Sequence, residues 1–252
     1  MRQPLSQPVR VAAVDWSGRV AGAERFIWTA LASPDGDLLA LGDGRDRTRL
    51  GDHLVALADA DPELVVGLDF AFSLPAWFLD RCGFEDGMAV PEPVAEGWLR
   101  ECPPPFWGRY GRRRGPEEPR HRVTELLVAP HARSVFQIGG AGAVGTGSLR
   151  GWPLLRRLRA EGFSVWPFDP PRLPLAVEIF PRLLTGPVVK SRREARERYL
   201  RSRGWPARAA VTEDAFDAAV SALVMSAHAA ALAALPHEPD PVIRREGRIW
   251  SG

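Results

Sequence analysis

A short apolar segment near the start of the chain, residues 9–18, constrains the fold more than any other stretch. Its first half is rich in β-branched residues and is bounded by glycine, which is typical of a buried strand. Asp15 follows where the apolar run ends. Aspartate is depleted in strands and is almost never fully buried without a partner. Two interpretations stay open: the Asp15 side chain forms a turn with the next backbone N–H groups, or it is a metal ligand on a rigid element.

The segments that follow predict a mixed sheet. Residues 24–33 and 38–41 are predicted strands, separated by the turn sequence of residues 34–37 as in an antiparallel meander. The apolar spacing of residues 48–60 predicts a helix, and residues 64–72 predict a strand that is covered on both faces. Because a helix joins two strands here, we expect a right-handed crossover and a parallel pair.

The rest of the chain predicts further strands and helices. The strands are expected at residues 134–138, 163–168 and 175–180, and the helices at residues 77–81, 94–100, 153–160, 192–203 and 212–235. Two of these helices fall in a Pro- and Arg-rich segment of approximately residues 76–130. We interpret this segment as an insertion after the fourth strand of a single domain spanning residues 1–252.

The composition, 45% hydrophobic and 25% charged, is that of an ordinary globular protein. No apolar span of about 20 residues and no charged-then-apolar leader is present, so we expect a cytoplasmic protein without a membrane partner. Cys82 and Cys102 show neither metal-type nor disulfide-type spacing. The net charge of +2 argues against a general polycation, and Lys190 is the only lysine. The remaining cationic side chains are arginine, whose planar fork suits phosphate.

Three further acidic residues are candidates for the same site as Asp15. Asp69 also lies near the end of an apolar predicted strand. If the two strands are parallel neighbours, they lie roughly 4.8 Å apart, close enough for their carboxylates to share a cation. Asp214 and Asp217 are three positions apart and project from one face of the last long helix. They either complement the helix dipole or face the sheet, where a metal ion would compensate their burial.

These positions resemble the ribonuclease-H-like superfamily. In its resolvase-type branch an aspartate on strand one, an acid on strand four and an Asp-x-x-Asp-Ala helix bind two divalent metals. The matching positions here are Asp15, Asp69, Asp214 and Asp217. The chain is more closely similar to domain of unknown function 429, a family of predicted nucleases with this fold. Its pattern is echoed by Arg122-Val123-Thr124-Glu125, Ser134-Val135-Phe136, Val177-Glu178-Ile179-Phe180-Pro181 and Glu246-Gly247-Arg248-Ile249-Trp250, so the similarity spans most of the chain.

The resemblance implies an α/β fold with a ribonuclease-H-like, mixed five-stranded core sheet flanked by helices. It also implies a metal-dependent nuclease that uses Mg²⁺ or Mn²⁺ and acts on nucleic acid, DNA or RNA. In such a site two hard cations flank a phosphodiester, activate a water and stabilise the leaving oxygen. Asp15 would bridge both ions, and Asp69 with Asp214 or Asp217 would complete one each. Glu178, on a strand expected beside that of Asp69, is interpreted as a ligand, base or substrate orienter.

Two segments are candidates for binding the substrate. Arg112, Arg113 and Arg122 lie in an arginine-rich segment with aromatic residues, a mixture that suits backbone phosphates and stacked bases but also occurs in solvated loops. Gly140 and Gly142 belong to a G-x-G-x-x-G sequence. Taken literally this sequence is a dinucleotide fingerprint, but the predicted helix begins only at residue 153. A loop that approaches a phosphate, or a flexible connection, is therefore preferred.

Two other classes of function stay open. Sugar kinases share the architecture, so a nucleotide-dependent phosphotransferase would bind ATP. A non-catalytic module with a vestigial site would bind nucleic acid or protein without cleaving it.

Overall fold

The computed structural model describes residues 10–115 and 119–252. The strands are β1 (Val11–Asp15), β2 (Trp28–Ala32), β3 (Leu38–Gly42), β4 (Val65–Leu68), β5 (Ser164–Val165), β6 (Leu175–Ile179) and β7 (Ile249–Trp250). The helices are α1 (Arg47–Ala60), α2 (Ala76–Cys82), α3 (Glu92–Glu101), α4 (Val123–Val128), α5 (Val144–Ala160), α6 (Pro181–Thr185), α7 (Arg193–Ser202), α8 (Glu213–Ala227), α9 (Ala229–Ala233) and α10 (Pro241–Glu246). The chain is thus an α/β protein, as the sequence predicted.

Among the described residues, seven strands rather than the expected five form one mixed sheet, in the order β3-β2-β1-β4-β6-β5, with β7 beside β6. β1 is antiparallel to β2 and parallel to β4, and β4 is parallel to β6. The predicted meander and the predicted parallel crossover are therefore confirmed. Val14 pairs with Leu68, and Leu68 pairs with Glu178, so the carboxyl ends of the three parallel strands meet at the same edge.

The alternation of side chains in β1 divides the core into two layers. Val11 and Ala13 are fully buried on the face covered by α8, whereas Ala12 and Val14 are fully buried on the face covered by α1 and α5. A strand covered on both faces needs apolar residues at every position, which explains the continuous apolar run before Asp15. The burial of both faces makes β1 the centre of the sheet.

The segment predicted as an insertion contributes helices α2, α3 and α4. Its aromatic side chains pack edge-to-face with one another and with the rest of the core: the rings of Phe78 and Phe106, both in the segment, lie 5.6 Å apart, and those of Phe78 and Phe136 lie 5.2 Å apart. α3 also contacts α5. Such contacts add to the stability gained by burying the rings. Residues 116–118 of this segment lie outside the described residues.

Four sequence predictions are corrected. Residues 134–138 form turns in which only Gln137 makes a strand-like bridge, to Trp107, because the chain is too bent there to form a ladder. The strand expected at residues 163–168 is limited to β5. α5 begins at Val144 rather than at residue 153, and it includes Pro153. The helix expected over residues 212–235 ends at Ala227 and is followed by the short α9.

Close packing explains why α5 begins inside a glycine-rich sequence that has low helix propensity. A Cβ atom on Gly145 would lie 2.0 Å from the carbonyl oxygen of Val135, and one on Gly151 would lie 2.4 Å from the ring of Phe70. Only glycine allows the helix to come this close to its neighbours. Tertiary contacts therefore override local propensity in the first turns of α5.

Candidate functional site: an acid cluster at the edge of the sheet

Four aspartates meet at the carboxyl edge of the sheet, and we call Asp15, Asp69, Asp214 and Asp217 the acid cluster. Asp15 is the last residue of β1, and Asp69 follows the last residue of β4. The N–H of Asp69 donates to the carbonyl oxygen of Val14 at 3.1 Å, so the parallel ladder continues into the cluster. Adjacent strands are about 4.8 Å apart, which places the first two carboxylates side by side.

α8 brings the other two acids to the same edge. Thr212 caps its N-terminus by accepting a hydrogen bond from the N–H of Ala215 at 2.9 Å. The helix packs on β1 and β2 through small buried residues such as Ala218 and Ala219. Their small side chains let the helix approach the sheet closely, so Asp217 is held near the strand ends and Asp214 lies one turn before it.

The acid cluster has too little positive charge of its own. Burial raises the pKa of Asp15 well above its ordinary value, and the charges of Asp69, Asp217 and Asp214 raise it further. Burial and the charge of Asp217 raise the pKa of Asp69 to about 8. Burial also raises the pKa values of Asp214 and Asp217. Carboxylates that resist ionisation because they are buried, and in part because they repel one another, are a favourable place for a cation.

In the described part of the chain, the ammonium group of Lys190 acts on several members of the cluster. Its Nζ lies 2.7 Å from Oδ1 and 2.8 Å from Oδ2 of Asp217. Its charge also lowers the pKa values of Asp15 and Asp69, against the stronger effect of burial. Lys190 belongs to none of the motifs recognised in the sequence, although it is the only lysine. The contact with a residue 27 positions away could not be read from the sequence.

Glu178 and Arg122 lie next to the cluster in a buried ion network. The Arg122 side chain is 1% exposed, and its five N–H groups are all used: Nε and Nη2 donate to Glu125, Nη1 and Nη2 donate to Glu178, and Nη1 donates to the carbonyl oxygen of Glu246. Burial opposes the charge on Arg122, but the pairs with Glu125 and Glu178 outweigh it and raise its pKa. The N–H groups of Arg122, a predicted substrate residue, are thus all engaged within the protein, and none of them is left for a phosphate.

The carboxylate of Glu178 is also fully engaged. It accepts hydrogen bonds from Arg122 at 2.5 and 2.8 Å and from the N–H of Phe72 at 2.8 Å. Burial raises its pKa against the effect of Arg122, and its charge in turn raises the pKa of Asp69. Glu178 thus adjoins the acid cluster as predicted, but its contacts make it a residue that positions the edge of the sheet rather than a free ligand or base.

The other predicted substrate residues lie on three depressions of the surface. Arg112 and Arg113 are exposed and line a hollow of about 200 Å³ that includes no member of the acid cluster. Gly142 lines a cleft of about 310 Å³ with Asp69, whereas Gly140 lines a shallow neighbouring surface. The structure therefore brings Gly142 close to the acid cluster and places the two arginines on a separate surface.

We call the depression beside Asp69 the central cleft. It is lined by Trp16, Gly18, Asp69, Phe70, Ala71, Arg122, Glu125, Ala132, Arg133, Gly142, Ala143, Val144, Gly147, Glu178, Ile179, Phe180 and Ile249. Its volume falls within the range of small-ligand sites, and aromatic walls with a few polar groups are typical of such sites. The first residues of α5 lie on one wall, and Asp69 connects the cleft to the acid cluster.

The donor atoms suit a hard divalent cation. Within residues 10–115 and 119–252, no three or more His, Cys, Asp or Glu side chains are already arranged as a metal site. Mg²⁺, however, is commonly bound by one or two carboxylates together with waters and phosphate oxygens. Asp15 and Asp69 provide such a pair. The carboxylate of Asp217 already faces a cation, since its Oδ1 lies 2.7 Å from Nζ of Lys190.

Comparisons of the chain with profiles of protein families, with curated proteins and with solved structures found no match. In the described part of the chain, none of the helices combines the length and the apolar character needed to cross a bilayer.

Proposed function

We propose that the protein is a divalent-metal-dependent nuclease that hydrolyses a phosphodiester of DNA or RNA with Mg²⁺ or Mn²⁺. The observation that carries this proposal is the meeting of Asp15 and Asp69 at the ends of two paired parallel strands. Among the described residues, the cation that acts on both of them is Lys190, which is paired with Asp217. Ligands of open α/β sheets bind beyond the carboxyl ends of the strands. A cation held there would lie beside the central cleft.

The resemblance to domain of unknown function 429 supports the proposal through the placement of its motifs. Three of the four segments that echo the family contribute to the ion network: Arg122 and Glu125 come from the first, Glu178 from the third and Glu246 from the last. Thr124 also accepts a hydrogen bond from the N–H of Ile249 at 2.8 Å. The motifs thus meet in one scaffold directly beside the acid cluster, which gives their order along the chain a physical reason.

Each part of the site has a role in the proposed reaction. A bound Mg²⁺ or Mn²⁺ would supply Lewis-acid stabilisation of the reacting phosphate and lower the pKa of an attacking water. Asp15 and Asp69 would hold the cation. The start of α5, at Gly142 and Val144, would present its positive dipole end toward a phosphate in the central cleft. Arg133, exposed on the rim of the same cleft, would attract the nucleic-acid backbone.

The proposal is tested with labelled single-stranded, double-stranded and branched DNA and with RNA, each with Mg²⁺, Mn²⁺ or EDTA. We expect cleavage that requires a metal and that falls by at least about 10³-fold in Asp15→Asn and Asp69→Asn, since both remove a ligand charge. Asp59→Asn, which removes an exposed carboxylate on α1, is the matched control and should keep full activity. Equal cleavage by wild type and Asp15→Asn, or no cleavage of any substrate, would contradict the proposal.

One observation favours the phosphotransferase as a second candidate. α5 begins inside the G-x-G-x-x-G sequence of residues 140–145, and its first turn lines the central cleft. A dinucleotide fingerprint also requires a strand just before the helix, and residues 134–138 form turns instead. ATP with Mg²⁺ should raise the melting temperature if this alternative is right. A purely binding module would instead bind nucleic acid equally well as wild type and as Asp15→Asn, without cleavage.

A further inference from the structure

We propose that Lys190 is a built-in cation of the acid cluster that takes the place of a second metal ion, so that the site binds a single divalent ion. This inference rests on the proposed function and revises the two-metal arrangement that the superfamily resemblance implies. Lys190 then becomes a residue of the site that stabilises negative charge beside the metal.

The position of the ammonium group is the first argument. Nζ of Lys190 contacts both carboxylate oxygens of Asp217, and the two side chains are only 14% and 16% exposed. An ion pair this far from solvent is weakly screened. A metal ion on Asp217 would lie about 2.1 Å from the same carboxylate, and hence within about 5 Å of the ammonium nitrogen. Lys190 already engages both oxygens of Asp217 and neutralises its charge, so a metal ion there would have to displace the ammonium group. The repulsion between the two cations would add to that cost.

A buried arginine fixes the backbone of Lys190. Lys190 lies in the segment between α6 and α7, and its carbonyl oxygen accepts a hydrogen bond from Nη1 of Arg196. Nε and Nη2 of Arg196 donate to the carbonyl oxygen of Ala210 at 3.1 and 2.8 Å. Arg196 is buried on α7, and Ala210 ends the 3₁₀ turn that precedes α8. The guanidinium thus ties the lysine loop to the segment that leads into Asp217.

The charges of the site balance with one metal ion. Lys190 and Asp217 neutralise each other, which leaves Asp15 and Asp69 with a combined charge that one divalent cation matches. Asp214 lies one helical turn away from Asp217 and keeps partial contact with solvent, where the charge of Arg19 acts on it. A second divalent ion would leave the site with excess positive charge before a substrate phosphate arrives.

The test counts Mn²⁺ ions bound per chain by titration, with free Mn²⁺ followed by electron paramagnetic resonance. We expect a count of one for wild type and for Lys190→Arg, which keeps the charge. Lys190→Met frees Asp217, and we expect a count of two. Arg192→Met removes an exposed cation two positions away and should keep a count of one. Asp15→Asn serves as the blank, with a count of zero.

The possible counts separate the two proposals. A count of two for wild type or for Lys190→Arg would overturn the role of Lys190 and leave the nuclease proposal intact. A count of one for folded Lys190→Met, with unchanged affinity, would also overturn it. A count of zero for wild type would remove the metal site itself and with it the proposed function. Circular dichroism of each variant shows whether it is folded. If Lys190→Met does not fold, the Mn²⁺ counts of wild type and Lys190→Arg still decide whether the site binds one ion or two.

Discussion

The clearest physical consequence of the acid cluster is a stability that falls as the pH rises when no metal is present. The native state raises the pKa of Asp69 to about 8, compared with about 3.9 in an unfolded chain. Between these values the native state binds a proton that the unfolded state has lost. Linkage then lowers the free energy of unfolding by about 1.4 kcal/mol for each pH unit, and this contribution to stability is fully lost once the pH exceeds about 8.

The expected size of the effect follows from the pH interval. From pH 5 to pH 7.5 the loss has an upper limit of about 3 kcal/mol for one proton. Asp69 keeps partial contact with solvent, which reduces the loss to the order of 2 kcal/mol. Asp69→Asn cannot ionise, so its free energy of unfolding should change less over this interval and exceed that of wild type at pH 7.5. It also removes a charge that raises the pKa of Asp15, which flattens the curve further.

The assay is urea unfolding in EDTA at pH 5, 6, 7 and 7.5, followed by the fluorescence of the nine tryptophans. Asp59→Asn is the matched control, since it removes an exposed carboxylate and should follow the wild-type curve. Parallel curves for wild type and Asp69→Asn would refute the reasoning, because they would show that Asp69 does not take up the extra proton. If the free energy of unfolding of wild type rose from pH 5 to pH 7.5, the predicted direction of the pH dependence would be wrong.

Three other substitutions test the scaffold around the site, each by urea unfolding. Arg122→Met should cost about 3–5 kcal/mol because it leaves buried carboxylates unpaired, and adding Glu178→Gln should cost less than the sum of the two single changes. Thr212→Ala should cost about 1 kcal/mol by removing the cap of α8, and no loss would show that the cap is not needed. Gly145→Ala should cost at least about 1–3 kcal/mol, since its Cβ would lie 2.0 Å from a carbonyl oxygen, whereas Gly115→Ala meets open space and should be nearly neutral.

Local sequence patterns were sufficient to predict the elements that are defined by hydrophobic periodicity among residues close in the sequence. The apolar run of β1 and the helical spacing of α1 agree with the observed elements within one or two residues at each end. The parallel pairing of β1 with β4 could also be predicted, because a helix that joins two strands of one sheet leaves few other arrangements. Asp15 and Asp69 could therefore be expected at one edge of the sheet.

Only the tertiary structure decided what surrounds those acids. Nothing near Lys190 in the sequence indicates its contact with Asp217, and nothing near Arg122 indicates that its guanidinium is enclosed by Glu178 and Glu125. The early start of α5 likewise depends on Gly145 packing against a distant carbonyl group. Periodicity and capping are properties of adjacent residues, whereas the partner of a buried charge is chosen by how separate elements pack. The sequence could predict where the carboxylates lie, and the packing of α6, α7 and α8 determines which of them already has a cation.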